Sequence, residues 1–502
     1  MNVLVLNRIK EFNIKHHNLS LVFIGILMAF LTGILSDQVT SFIYPISCGG
    51  QYVSDPNCFY YMGKLFVSGY TPYIEFFDQK GPYIFYLTGL ANILGGRYGM
   101  LLLHIIIFGI FYYYLFKIYE EYKFSKILSI SMTLVLLSII IICGQNPSDS
   151  ELEFPFISCG LYFYIKGINN KNDKYFLYGN IICGLCAGIA IHLRLTEAII
   201  PFGLVVYFGI RGIINKKYKN IIINAGACIC GVIITSMPPL IHSLCLGFTQ
   251  IMYEAIILNN FTYASGLMGG YSIESMLPRL LIIILFIFVG ISLFVLKKKN
   301  KISFDETLFY GILFTVVLIL EYITSCYLHY LLIVFPLIII YFGRVILFVN
   351  INKIIKYVLL VGSFVIFIES SVTFPIYNYN VVIKRDYLIN EYIDDVINIE
   401  DRNGKVLCYF TSPSIYINNN IMVSYPDFSY QGNHNRISNI YTFDRLRDYL
   451  INSDCKYVIF DNEIRDEFTN WLENNEYYVK DNSKLEGSKY ITILVSVKNN
   501  EY

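Results

Sequence analysis

Long apolar runs separated by short polar segments dominate the first three quarters of the chain. Most of these runs approach the roughly 20 residues that an α-helix needs to cross the hydrocarbon core of a bilayer. Backbone polar groups inside a bilayer must be hydrogen-bonded within the protein, so such runs predict transmembrane helices. We expect eleven of them: Leu21–Leu35, Met100–Ile118, Ile127–Cys143, Phe154–Ile165, Phe176–Ile191, Leu195–Ile210, Ile221–Leu244, Leu280–Leu296, Leu308–Ile323, Tyr327–Val349 and Ile354–Ile368.

The composition supports a polytopic α-helical membrane protein. Of the 502 residues, 55% are hydrophobic and only 15% are charged, whereas soluble domains carry about 25% charged residues. The net charge of +1 gives no overall positive field that would attract nucleic acid. We therefore expect membrane lipid as a partner and no nucleic acid.

Lysine and arginine concentrate in the loops on one side of the predicted membrane. Arg8, Lys10 and Lys15 precede the first run, and alternating helices place later clusters such as Lys297–Lys301 on the same side. Cytoplasmic loops carry this excess, so we expect a plasma-membrane protein with a cytoplasmic N-terminus. Pro82–Leu94 is apolar but only about 13 residues long, which predicts an interfacial segment within a long first outer loop, residues 37–97.

The composition changes after the last predicted span, which indicates two domains. Residues 1–380 form the predicted transmembrane domain, and residues 381–502 form a small α/β domain on the extracytoplasmic side, as an odd number of spans requires. Short apolar runs alternate there with amphipathic stretches: Lys405–Phe410, Phe443–Leu450, Tyr457–Phe460, Glu463–Leu472 and Tyr490–Val497.

The first outer loop carries the clearest candidate chemistry. An apolar stripe over residues 57–68, followed by Gly69, predicts a short helix on the membrane surface. Asp55, Asp78 and Lys80 would then lie at the lipid–water boundary, where a lipid-linked phosphate is presented. Asp55 precedes Pro56, so it is either a helix N-cap or a proton acceptor, and the two roles are compatible.

Three later outer segments carry further candidates. Asp149 and Glu151 would bind a metal ion or sugar hydroxyls, or simply favour a helix N-terminus. Arg194 suits a phosphate because its planar guanidinium is always charged, although a pair with Glu197 that seals the turn is the alternative. His329 is a ligand, an acid or an interfacial histidine.

The order of elements in the first outer loop resembles a known signature. Asp55, then Gly69–Tyr73 (GYTPY), then Phe77–Pro82 (FDQKGP) are similar to the pattern of GT-C glycosyltransferases, in particular bacterial members related to protein O-mannosyltransferases and aminoarabinose transferases. The resemblance covers residues 55–201 and 329–336, and the C-terminal domain carries no matching motif.

The resemblance implies an inverting sugar transfer at the outer membrane face, from a polyprenyl-phosphate donor to a glycan, lipid or protein acceptor. It implies no certain cofactor. The resemblance leaves a divalent metal ion open, and Pro56, which stands where some relatives have a second carboxylate, counts against one. The implied roles are Asp55 as the base, Lys80 and Arg194 for the donor phosphate, and Asp78, Asp149, Glu151 and His329 for the sugar or a metal.

Two other classes of protein remain as alternatives. A transporter or flippase of lipid-linked saccharides would place polar groups at the membrane midplane, often within internal repeats. This chain has no evident repeat and gathers its acids and bases in outer loops. A polymerase or ligase would use a large late loop, but Cys245–Met276 contains only Glu254 and Glu274 as charged residues.

Overall fold

The computed structural model describes most of the chain, and that part is predominantly helical. The residues described are 17–36, 55–143, 150–260, 273–323, 332–349, 352–373, 384–409, 411, 413–425, 443–462, 466–474, 478–481 and 485–497.

The helices of the first domain follow the predicted apolar runs. Each of the eleven runs contains a helix, and three short helices (α2, α3 and α10) lie between them. In chain order the helices are α1 His17–Ser36, α2 Asp55–Val67, α3 Tyr83–Ile93, α4 Arg97–Glu121, α5 Lys126–Cys143, α6 Phe154–Asn170, α7 Asp173–Ile191, α8 Ile199–Ile214, α9 Tyr218–Leu246, α10 Thr249–Tyr253, α11 Ile273–Lys298, α12 Phe304–Ile323, α13 Phe335–Val349 and α14 Lys353–Ile368.

Six segments within the described residues are long and apolar enough to cross a membrane, which supports the prediction of a membrane protein. The count of eleven spans and the orientation remain predictions. The six segments are Asn18–Leu35, Arg97–Glu121, Asp173–Ile191, Leu195–Ile214, Tyr218–Leu246 and Lys353–Val372.

Close helix packing in the bundle depends on small residues. Helices α7 and α9 approach so closely that a Cβ on Gly184 would lie 2.0 Å from the backbone oxygen of Cys228. A Cβ on Gly231 would likewise meet the backbone of Ile181 at 2.7 Å. Small residues at such positions let helices approach within a membrane, where packing rather than hydrophobicity drives association.

Helices α2 and α3 form a tight hairpin in the first outer loop. A Cβ on Gly63 would lie 2.4 Å from the backbone of Thr88, and the Thr88 hydroxyl donates to the backbone oxygen of Phe59 at 2.8 Å. Gly69 follows α2 with a φ of +94°, which ends the helix as predicted, since glycine adopts this conformation without steric cost. The hairpin fixes both ends of the segment that carries Asp78 and Lys80.

The C-terminal region contains a five-stranded sheet with helices around it, which agrees with the predicted α/β composition. The strand order is β2-β1-β3-β5-β4, with β1 parallel to β2 and β3, and β5 antiparallel to β3 and β4. The elements are α15 Lys384–Val396, β1 Asn403–Tyr409, α16 Ser414–Asn418, β2 Met422–Val423, α17 Phe443–Asn452, β3 Tyr457–Asp461, α18 Glu467–Glu473, β4 Tyr478–Lys480 and β5 Ile491–Ser496.

The sheet region contacts the first outer loop through α2. The ring of Tyr61 stacks on that of Tyr416 with centroids 4.8 Å apart, and the Tyr61 hydroxyl donates to the backbone oxygen of Ile421 at 3.0 Å. Lys64 Nζ donates to Asn420 Oδ1 at 2.6 Å. The helix that begins at Asp55 is therefore held by the transmembrane domain on one side and by the C-terminal region on the other.

Candidate functional site

The segment between α2 and α3 buries an acid and a base together. Asp78 and Lys80 are 2% and 7% exposed. Asp78 Oδ1 accepts a hydrogen bond from the Lys80 backbone N–H at 2.8 Å and lies 3.8 Å from Lys80 Nζ. The Tyr73 hydroxyl donates to the Lys80 backbone oxygen at 2.8 Å, and burial raises the pKa of Tyr73, so this donor keeps its proton. The side chain of Lys80 therefore projects from a fixed turn.

Gly81 brings this turn against the segment that joins α7 to α8. Its backbone N–H donates to the Leu193 backbone oxygen at 2.9 Å. A Cβ at position 81 would lie 1.8 Å from the backbone oxygen of His192, so no other residue permits this approach without backbone movement. The turn that carries Lys80 consequently abuts the turn that carries Arg194.

The α7–α8 turn contains a buried ion pair. The Arg194 guanidinium contacts Glu197 Oε1 and donates from Nε to the Thr196 hydroxyl at 3.1 Å. Glu197 is completely buried, and His192 is 1% exposed. Burial lowers the pKa of His192 to about 4, because a desolvated imidazole disfavours its charged form. His192 is therefore neutral at physiological pH.

A third segment, directly before α6, joins the same cluster. Ser150 donates to Glu197 Oε1 at 3.1 Å. Glu151 is fully buried, and its Oε1 lies 2.7 Å from His104 Nε2, which projects from α4. Two residues on, Glu153 Oε2 accepts from the Cys186 thiol at 3.6 Å.

These contacts bring several of the predicted site residues to one end of the helical bundle. Asp78, Lys80, Glu151 and Arg194 come from three separate segments of the chain, linked through Gly81 and Ser150. We call the following group the site cluster: Asp78, Gln79, Lys80, His104, Ser150, Glu151, His192, Arg194 and Glu197.

The other predicted residues are not placed in this cluster. Asp55 is the first residue of α2, as its assignment to a helix start predicted, but its side chain lies outside the described part. Asp149 and His329 also lie outside the described residues.

His104 was not predicted as a site residue. It lies within the apolar segment Arg97–Glu121, and an ionisable residue inside a membrane-spanning helix is itself a signal of a buried polar partner or of function. The sequence could therefore have singled out His104. Its partner, Glu151, is 47 positions away and was not predictable without the packing of α4 against α6.

Three buried polar atoms of the site cluster have no hydrogen-bond partner within the described residues. They are Gln79 Oε1, His192 Nδ1 and Glu197 Oε2. Buried polar atoms are normally paired, and exceptions require an explanation such as a ligand or water. Carboxylate and amide oxygens accept hydrogen bonds, so the two oxygens would suit hydroxyl groups of a substrate.

Two acids of the site cluster are paired with basic side chains. No group of three or more His, Cys, Asp or Glu side chains arranged to hold a metal ion occurs among the residues that the structure describes. Glu151 pairs with His104, and Glu197 pairs with Arg194. The predicted metal role of Asp149 falls outside the described residues.

Comparison with protein-family models and with curated proteins finds no match to this chain. A function for this chain is therefore inferred from the site cluster and from the sequence resemblance in the first outer loop.

Proposed function

We propose that this chain is a membrane glycosyltransferase that takes a sugar from a polyprenyl-phosphate donor at the site cluster. The observation that carries the proposal is the contact between the Lys80 turn and the Arg194 turn, made through Gly81 and Leu193 at 2.9 Å. It places two cationic residues from distant parts of the chain in adjacent turns, beside buried acids. A phosphate leaving group requires cations, and a sugar requires hydrogen-bond acceptors.

In the proposed reaction, an acceptor hydroxyl attacks the anomeric carbon of the donor. The bond from the acceptor oxygen to that carbon forms as the bond to the phosphate oxygen breaks, so the configuration inverts. The proton of the hydroxyl passes to the carboxylate of Asp55, and the electron pair leaves with the polyprenyl phosphate. General-base assistance of this kind typically contributes about 10²–10⁴-fold in rate.

Lys80 and Arg194 act on the departing phosphate. Fixed positive groups in a site with little water stabilise developing charge far more than they would in bulk solvent. Glu197 restrains the Arg194 guanidinium. Lys80 Nζ lies 3.8 Å from Asp78 Oδ1, which is close enough for an ion pair but too long for a hydrogen bond.

Asp78, Glu151 and Glu197 supply the acidic surroundings of the sugar. The unpartnered Glu197 Oε2 and Gln79 Oε1 would accept hydrogen bonds from sugar hydroxyls. The acceptor is a glycan, lipid or protein at the outer face of the plasma membrane, with the chain crossing the membrane eleven times and the C-terminal domain outside.

The test is transfer from a panel of radiolabelled polyprenyl-phosphate sugars by membranes containing the wild type or Asp55→Asn. Glu75→Gln is the matched control, because Glu75 is an exposed acid in the same loop. We expect transfer from at least one donor by the wild type and by Glu75→Gln, and a loss of about 10²-fold or more in Asp55→Asn. Full activity of a folded Asp55→Asn protein would rule out the proposed base.

A transporter of lipid-linked saccharides is the second candidate, and the buried His104–Glu151 pair within the bundle is the observation that favours it. Coupled transporters often use such intramembrane pairs as proton relays. Movement of a labelled lipid-linked sugar across proteoliposomes without any change in its bonds would favour the transporter over the enzyme.

A further inference from the structure

A second feature lies at the opposite end of the bundle from the site cluster. Helices α1, α4 and α5 line a partly open cavity of about 490 Å³. The site cluster is near the start of α4 at His104, whereas the cavity contacts the end of α4 at Phe116 and Glu120. About 18 Å of helix separates His104 from Phe116 at a rise of 1.5 Å per residue, so the cavity is a separate site.

The cavity has a polar mouth and an apolar interior. Ser20 at the start of α1, Glu120 at the end of α4 and Lys126 at the start of α5 form the mouth. Met28 and Leu134, each eight residues further along α1 and α5, line the far end. The cavity therefore extends about 12 Å from the polar boundary into the apolar part of the bundle.

Of the two charged residues at the cavity mouth, Glu120 forms an ion pair and Lys126 does not, within the described part of the chain. Glu120 pairs with Lys117 at 3.0 Å, and Lys117 also donates to Asn18 at 2.7 Å. Lys126 is exposed and makes no ion pair with any residue in the described ranges. The mouth thus offers a cation beside an already neutralised acid, at the level where the helices leave the apolar region.

We propose that this cavity binds one acyl chain of an anionic phospholipid, with the lipid phosphate at Lys126. A volume of about 490 Å³ lies within the roughly 300–1,000 Å³ of small-molecule sites. An apolar cleft at the surface of a membrane bundle is in contact with hydrocarbon rather than water. Basic residues at the ends of transmembrane helices bind anionic headgroups, each contributing about 1 kcal/mol. The site does not depend on the proposed transferase activity.

Photo-crosslinking in nanodiscs tests this proposal with the full chain. One set of discs contains a phosphatidylglycerol and the other a phosphatidylcholine, both with the same diazirine-labelled acyl chain, and labelled peptides are identified by mass spectrometry. We expect the phosphatidylglycerol probe to label α1 and α5 near the cavity. Ile24→Trp should reduce this labelling at least about fivefold, because Ile24 lines the cavity and is 41% exposed, so a larger ring can occupy the space.

Lys126→Glu should reduce phosphatidylglycerol labelling about fivefold, which is the equivalent of about 1 kcal/mol, and should leave phosphatidylcholine labelling unchanged. Ile229→Trp is the matched control on α9, since Ile229 is 59% exposed and lies away from the cavity. Leu134→Trp repeats the filling test from the opposite wall if Ile24→Trp fails to fold.

Equal labelling of the wild type, Ile24→Trp and Leu134→Trp would overturn the proposal. Equal labelling by the phosphatidylglycerol and phosphatidylcholine probes would show that Lys126 does not select an anionic headgroup. Displacement of both lipids by unlabelled polyprenyl phosphate, at concentrations at which phosphatidylglycerol does not compete, would assign the cavity to an isoprenoid and contradict an acyl-chain site.

Discussion

Both ends of the helical bundle bury charged side chains, but they do so differently. At the end opposite to the site cluster, Arg344 forms two hydrogen bonds to Glu306, at 2.7 and 3.2 Å, and stacks over Tyr122 and Phe348. Arg211 reaches Asp305 at 3.0 Å and Asp173 at 3.3 Å. We call these residues the arginine clusters. In these clusters each guanidinium group is paired with at least one carboxylate, and Asp173 and Asp305 remain partly exposed.

In the site cluster, the buried polar groups are less completely hydrogen-bonded. Its acids are at most 2% exposed, and Gln79, His192 and Glu197 each retain a polar atom without a partner in the described part of the chain. At the other end, the hydroxyl of Tyr207 is a buried, uncharged atom without a partner among the residues that the structure describes. A bidentate arginine–carboxylate pair is what stability and helix positioning require. Buried groups with unused hydrogen-bonding capacity are what a polar substrate requires.

Breaking an ion pair at either end should cost the most stability. Glu197→Leu leaves Arg194 buried without its partner, and Glu306→Leu does the same to Arg344. Loss of one member of a buried pair costs roughly 3–5 kcal/mol. Thermal unfolding in detergent should therefore show a large fall in midpoint for both variants.

Activity should distinguish the two ends. Transfer per folded molecule should be lost in Glu197→Leu and retained in Glu306→Leu. Replacing both members of the pair, as in Arg194→Met with Glu197→Leu, should restore much of the stability but not the transfer. Transfer that returns with stability would show that the pair has only a structural role.

The pH dependence of stability should show the effect of burying the His192 imidazole. In the unfolded chain His192 takes up a proton near pH 6.5, whereas in the folded protein its pKa is about 4. The unfolded state therefore binds more protons between these values, and the free energy of unfolding falls as the pH is lowered from 6.5 towards 4, by about 3 kcal/mol at most.

His192→Asn should give a shallower loss over this interval, because asparagine does not titrate. Unfolding midpoints of the wild type and the variant, measured in detergent at half-unit steps, provide the comparison. Parallel curves for the two proteins would mean that His192 takes up its proton over the same pH range in the folded and unfolded states.

A smaller effect should appear where the C-terminal region contacts α2. Tyr61→Phe removes the hydrogen bond to Ile421 but keeps the stacking on Tyr416, at a cost of about 1 kcal/mol. We expect faster nicking of the C-terminal region by limited proteolysis, and no change in Tyr98→Phe, an exposed tyrosine on α4. Identical cleavage rates in Tyr61→Phe and the wild type would mean that this contact does not hold the region in place.

The long helices of the first domain were predictable from sequence because each lies in a long apolar run, which is a local property of the chain. The short helix after Asp55 and its end before Gly69 followed from the apolar stripe and from glycine. Strands β1, β3 and β5 also lay in predicted runs, whereas β2 and β4, of two and three residues, are too short to leave a pattern.

The contacts of the site were not predictable in the same way. The approach of Gly81 to His192 and the pairing of His104 with Glu151 join segments far apart in sequence, and they depend on how α4, α6 and α7 pack. The sequence indicated Lys80 and Arg194 as separate phosphate candidates. Their position in adjacent turns followed only from the structure, whereas the pairing of Arg194 with Glu197 was the alternative that the sequence analysis had left open.

Donor saturation of Lys80→Met tests whether the site cluster binds the phosphate of a lipid-linked sugar donor. Lys174→Met is the matched control, because Lys174 is an exposed lysine at the opposite end of the bundle. We predict an apparent donor affinity about tenfold weaker or more in Lys80→Met, since a hydrogen bond to a charged group contributes roughly 1.5–3 kcal/mol, with acceptor affinity and the control unchanged. An unchanged donor affinity in folded Lys80→Met protein would mean that Lys80 does not bind the donor phosphate.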